Sequence, residues 1–186
     1  ASARKMLGTL PVVTVDSMYR IDELSVSVDN FAGGQTATEH LISLGHRNIL
    51  HISGPKSWFE ATARSAAHAA TMLNAGFQPQ IVSGDWTADS GYAVGLEVNF
   101  EQRGITAVFA ANDYVALGVI KAAHQRGIRI PQDLSVVGFD DFPESGYFIP
   151  SLTTMRQDFS ELGRRAIRLL LSGLDRIEAP NLAPLI

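Results

Sequence analysis

Short apolar runs alternate with helical patterns along almost the whole chain, and the alternation predicts the architecture. Val12–Val15 is a β-branched run closed by Asp16, and Ser25–Asp29 alternates with period two as a half-exposed strand does. Thr36–Leu44 reads as a helix, with Gly45 placed to end it in a left-handed conformation. Asn48–Ser53 is a strand, and Glu60–Ala75 an alanine-rich helix stopped by Gly76. Gln80–Ser83 is a strand that leads into Gly84-Asp85-Trp86, and Asp89–Arg103 a helix ended by Gly104. Thr106–Ala110 and Leu134–Phe139 read as buried strands, with a helix over Tyr114–Arg126 between them, stopped by Gly127. Leu152–Met155 is a short β-branched run, Phe159–Leu171 an amphipathic helix, and the Pro-containing tail from Glu178 irregular. Repeated β-then-α units predict an α/β fold: a parallel sheet with helices on both faces, joined by right-handed crossovers.

The units are not evenly spread. Residues 31–150 form a self-contained α/β unit, the complete lobe. Residues 1–30 and 151–186 supply isolated strands and one helix that need a sheet to join. That imbalance predicts one complete lobe plus part of a second, whose first half is missing. The chain starts without methionine, as a piece of a longer protein would.

Composition narrows the functional classes. At 186 residues and 46% hydrophobic, the chain has enough apolar material for a sizeable core. A net charge of −4, with only three lysines and dispersed arginines, argues against this region gripping a phosphate backbone by itself. The absence of cysteine excludes disulfides and thiolate metal sites and fits a reducing cytoplasm. No apolar run approaches the roughly 20 residues that span a bilayer, and the first residues carry no signal-peptide h-region.

In an open parallel sheet, ligands sit beyond the carboxyl ends of the strands. The expected strands end in Asp16, Ser53, Asp85–Trp86, Asn112–Asp113 and Asp140–Asp141. Acids, an amide and an indole converging there describe a small polar cleft with one flat wall. Carboxylates and amides hold vicinal hydroxyls, and an aromatic face covers the C–H side of a sugar ring. Trp86 suits that wall, although an indole after a strand also serves as a core or loop anchor. Asp113 and Asp89 suit ordinary helix N-caps. Asp140 and Asp141 cannot both cap, so one of them faces the cleft. Arg64 is the basic residue of an alanine-rich helix, where a guanidinium either forks onto two ligand oxygens or lies on the surface. Trp58 and Phe59 precede that helix and either wall the same cleft or form a hydrophobic staple.

Other chemistries find little support. His40, His46, His51, His68 and His124 show no metal spacing and read as surface or satisfied core residues. Phosphate-loop, dinucleotide and nucleophile-elbow motifs are absent. Asp140–Asp141 resembles a magnesium carboxylate pair, but no suitably placed lysine supports phosphoryl transfer.

Several segments, in order and spacing, resemble one family. They are V-D-N-F-A-G-G-Q-T-A-T-E-H-L-I-S-L-G-H-R-N-I (28–49), H-I-S-G-P (51–55), Arg64 and G-D-W-T-A-D-S-G (84–91). A-N-D-Y-V-A-L-G (111–118), P-Q-D-L-S-V-V-G-F-D-D (131–141) and I-P-S-L-T-T-M-R-Q-D-F (149–159) complete the set. From about Val12 to Leu171 the chain resembles the effector-binding region of the lactose/galactose repressor (LacI/GalR) family of bacterial transcriptional regulators. The resemblance implies two periplasmic-binding-protein-like lobes with a small polar effector between them, a sugar or sugar derivative, controlling DNA binding allosterically. It implies no enzyme activity and no cofactor. The positions that match effector contacts are Asp16, Arg64, Trp86, Asn112, Asp140 and Phe159, and Trp58 joins them as a candidate wall. The family's homodimer surface maps onto the helix 114–124 and onto 147–152. Operator DNA would be read through an N-terminal domain absent from this chain. One departure stands out: the arginine helix of the family continues R-x-x-G and then an aromatic, where this chain has Ala67 and His68. A periplasmic sugar-binding protein feeding a transporter is the rival reading. A metal-assisted enzyme on Asp140–Asp141 is a more distant one.

Overall fold

The computed structural model describes residues 11–15 and 24–175. Asp16 and the tail from Glu178 lie outside the described residues. The chain divides into two units, with boundaries at Asp29/Asn30 and at Gln157/Asp158.

The larger unit, Asn30–Gln157, is built on a five-stranded sheet that is parallel throughout. Its elements run α1 (Asn30–Ser43), β3 (Ile49–Ser53), α2 (Phe59–Asn74), β4 (Gln80–Ser83), α3 (Ala88–Glu97), β5 (Ala107–Ala110), α4 (Asp113–Gln125), β6 (Ser135–Asp140) and β7 (Thr153–Arg156). The strand order is β4-β3-β5-β6-β7. Alternate residues of each strand feed two cores. Leu50, Ile52, Val108, Ala110 and Val136 pack under α3 and α4. Ile49, Ala107, Phe109, Val137 and Phe139 pack under α1 and α2. A sheet covered on both faces accounts for the unbroken apolar runs of the sequence.

In the smaller unit, β1 (Thr14–Val15) pairs in parallel with β2 (Ser25–Val26). Val26 and Val28 pack with Leu162 and Leu169 of α5 (Phe159–Asp175). Among the described residues, no helix is long and apolar enough to cross a membrane.

Three boundaries differ from the sequence expectation. The strand over 153–156 joins the larger unit, because it pairs along β6 in the register Val137↔Thr153 to Asp140↔Arg156. The lobe boundary therefore falls after Gln157, not after residue 150. Helix α1 begins at Asn30 rather than Thr36 and carries Gly33 and Gly34 inside it. Those glycines signal a loop by propensity, but the packing requires them. A Cβ on Gly33 would lie 2.6 Å from the Phe139 ring, and one on Gly34 would lie 3.0 Å from Arg64 Cα. Helix α3 stops at Glu97, short of Arg103, where Val98 turns extended and Phe100 enters the core.

Candidate functional site

The order β4-β3-β5 reverses direction across β3, so the crevice beyond the carboxyl ends of β3 and β5 is where such a sheet places a ligand. Arg64, Trp86, Asn112 and Asp140 of the larger unit gather on that edge.

Arg64 is almost fully buried, not a surface residue. Helix α2 delivers it inward, where its Nε donates to Asn30 Oδ1 at 2.9 Å and Nη1 donates to the Ala111 carbonyl. Its Cζ lies 3.6 Å from the centroid of the Phe139 ring and 5.6 Å from that of Trp86. Nη1 stands 3.6 Å from Asp140 Oδ1, which also accepts a hydrogen bond from Gln157 Nε2. Burial pushes the Asp140 carboxyl up to about 6, against the opposing pull of Arg64 and Gln157. A carboxyl poised near neutrality can accept or donate hydrogen bonds with little change in conditions.

Trp86 lies across the 54–55 loop: its ring occupies the space that a Cβ on Gly54 would need. The indole Nε1 is buried with no hydrogen-bond partner among the described residues. Trp58 meets this ring edge-on, with centroids 6.1 Å apart, and is itself 53% exposed. The two indoles therefore form one aromatic corner, and Trp58 is no buried staple.

Asn112, expected as a ligand contact, has an internal assignment. Its Oδ1 caps α4 by accepting from Val115 N at 2.9 Å, and its Nδ2 donates to the Trp86 carbonyl at 3.1 Å. Asp113, expected as the cap, instead lies fully buried and accepts from Phe142 N and Thr154 Oγ1. Burial raises its carboxyl above the usual range. Thr87 rather than Asp89 caps α3. Asp85 is exposed and accepts from Thr87 in its own turn. Asp141 turns toward Ser145 and Arg156, apart from Asp140. Among the described residues, no three His, Asp or Glu side chains gather as a metal site.

Among the described non-glycine residues, Trp86, Asp140 and Asp141 have left-handed backbone, at φ of 73°, 113° and 60°. Such conformations cost on the order of 1–3 kcal/mol each and cluster at functional sites. Of the remaining expected contacts, Phe159 is half-exposed at the start of α5 in the smaller unit, and Asp16 is outside the described residues. Sequence reasoning missed Asn30, Gly54, Phe139 and Gln157. The only signal for them was their place inside the quoted motifs.

Comparison with known proteins fits this geometry. Residues 38–184 match the periplasmic binding protein-like domain family. The HTH-type transcriptional repressor PurR of Erwinia tasmaniensis is 36% identical over 173 residues, covering 90% of this chain and 50% of the repressor. The ribose operon repressor of Halalkalibacterium halodurans is 35% identical over 167 residues, again covering 90% and 50%. The chain thus spans about half the length of the curated relatives it matches. Among solved structures, the lac repressor dimer bound to operator and the anti-inducer ONPF superposes with a TM-score of 0.88 at 32% identity, covering 98% of this chain and 56% of that one. The complex of the transcriptional regulator CelR with cellobiose superposes with a TM-score of 0.84 at 32% identity, covering 94% and 56%.

Proposed function

We propose that this chain, which belongs to the periplasmic binding protein-like domain family in its lactose/galactose repressor branch, senses a small effector for a transcriptional repressor. The effector is a neutral, hydroxyl-rich molecule, a sugar or sugar derivative, and the region acts as a sensor rather than as a catalyst. The buried Arg64–Asp140 pair carries this reading, set at a switch-point edge beside an aromatic corner. Arg64 and Asp140 supply a donor and an acceptor for adjacent hydroxyls, and Trp86 with Trp58 covers the ring's C–H face. Asn112 serves by holding the Trp86 turn to the start of α4. The resemblance adds Asp16 and Phe159 as further contacts.

In the whole cytoplasmic protein, effector binding shifts the balance between two arrangements that present a DNA-reading head differently, a coupling of about 1–3 kcal/mol. The protein works as a homodimer. Tyr114 and Leu117 on α4, with Tyr147 and Ile149 beyond β6, are exposed large apolar side chains that suit contact with a second copy. The test is a thermal-shift screen with D-ribose, cellobiose and a set of nucleosides. A binder present at 100 times its Kd stabilises by about 2.7 kcal/mol. Asp140→Asn is expected to remove the shift while leaving the ligand-free protein folded. Equal shifts in both proteins would place the ligand elsewhere.

A further inference from the structure

Two buried histidines lie directly behind the proposed site, and the effector reading does not use them. His51 and His68 are fully enclosed between the sheet, α1 and α2, with ring centroids 5.4 Å apart. His51 Nδ1 lies 2.9 Å from the Phe109 carbonyl, which can only accept, so Nδ1 carries the hydrogen. Nε2 is then the acceptor, and the Ser65 hydroxyl donates to it at 3.2 Å. On the other side, the Thr38 hydroxyl donates to the Gly34 carbonyl and lies 3.2 Å from His68 Nδ1, within hydrogen-bonding distance. One imidazole thus ties α2 to β3 and β5, and the other ties α2 to α1. Burial keeps both rings neutral, with His51 lowered to about 3 and His68 to about 4.

Both ties fall within one helical turn of one functional residue. Ser65 follows Arg64 directly, and His68 stands one helical turn beyond it. Beside Arg64 and His68, the buried face of α2 consists of Ala61, Ala67, Thr71 and Met72. Such packing sets the distance of the helix from its neighbours, and directional hydrogen bonds add to it a preferred rotation. Ring contacts continue from the same cluster to the guanidinium. His51 stacks on Phe109 at 4.6 Å, Phe109 meets Phe139 at 6.5 Å, and Phe139 carries Arg64 on its face.

We propose that His51 and His68, acting through Ser65 and Thr38, are positioning residues that set the rotation and height of α2 and thereby aim Arg64 at its site. The functional weight of this clamp rests on the effector site proposed above, but its test needs no ligand. The Arg64 Nε–H, bonded to Asn30, gives a side-chain NMR signal that is identified by its loss in Arg64→Lys. Trp58 and Trp86 are the only tryptophans of the chain, so tryptophan emission reports the same corner. Ser65→Ala and His68→Phe are expected to shift the Arg64 signal and to move the emission toward that of Arg64→Lys. Ser65→Thr and His68→Asn, which keep the hydroxyl and a hydrogen-bonding group at the Nδ1 position, are expected to restore both. Arg64 and tryptophan signals that stay at wild-type positions in Ser65→Ala and His68→Phe overturn the proposal, even if the melting temperature falls. So does a shift that the conservative replacements fail to reverse. A carbohydrate screen without a binder would remove the sugar reading and leave this result standing.

Discussion

The two edges of the larger sheet are built on opposite principles. At the amino edge, polar groups close on one another. His46 bridges Thr106 and Ser135 at 2.9 and 3.0 Å, across the starts of β5 and β6. Asn48 donates to the Arg103 carbonyl and accepts from Gln80, which in turn accepts from Arg103. The left-handed positions that end helices or turn the chain toward this edge are glycines: Gly45, Gly76, Gly104 and Gly127. At the carboxyl edge the left-handed positions carry full side chains, a carboxyl sits near neutrality and an indole N–H has no described partner. One edge minimises its energy within the protein, and the other retains unsatisfied valence. That contrast favours the carboxyl edge as the proposed ligand site more sharply than the shape of the surface does. A groove of about 450 Å³ opens between α3 and α4, but it is lined by Tyr92, Leu117 and Lys121 and not by the residues of the pair.

Substitutions can break the contrast in order of expected effect. Arg64→Met leaves a buried carboxylate without its partner and is expected to lower stability by about 3–5 kcal/mol in urea denaturation. Adding Asp140→Leu to that variant should recover most of the loss. A single variant no less stable than wild type would mean that the pair is not electrostatically coupled.

The next test uses pH. Above pH 6 the fold holds a buried Asp140 carboxylate that the unfolded chain would solvate at its ordinary 3.8, so ionisation costs stability. The cost is about 3 kcal/mol and fades as pH falls through 6 toward 3.8. His51 and His68 act in the opposite sense. Held neutral in the fold, they lose about 1.4 kcal/mol of stability per pH unit for each ring as pH drops below 6.5. Asp140→Asn removes the compensating proton uptake, so its stability should fall more steeply than that of wild type between pH 6 and 4. Parallel curves would contradict the raised carboxyl.

The smallest effect is expected at the other edge. His46→Ala removes two hydrogen bonds worth about 1 kcal/mol each and should leave tryptophan emission unchanged. A change in emission would show that the two edges communicate.

The residues themselves explain which parts of this were legible in the sequence. The α/β alternation and the strand ends at Ser53, Trp86, Asn112 and Asp140 follow from short unbroken apolar runs and from the polar groups that terminate them, which are local properties. The helical start at Asn30 was hidden, because Gly33 and Gly34 look like loop residues until the Phe139 ring and the Arg64 backbone press against them. The helix cap at Asn112 rather than Asp113 was hidden as well. Either residue type caps a helix, and only the nearby Thr154 and Phe142 N–H give Asp113 something better to do.

The amino-acid order by itself determined the α/β class, the sheet buried on both faces and the edge on which polar chemistry collects. Tertiary structure alone decided that Arg64 is buried against Asp140, that Trp86 lies on Gly54 and that Thr153–Arg156 belongs to the larger sheet. Periodicity is written over a few neighbouring residues, whereas a charge pair, a ring on a glycine or a strand partner joins positions up to about 76 residues apart, and their energies exist only after the chain has closed.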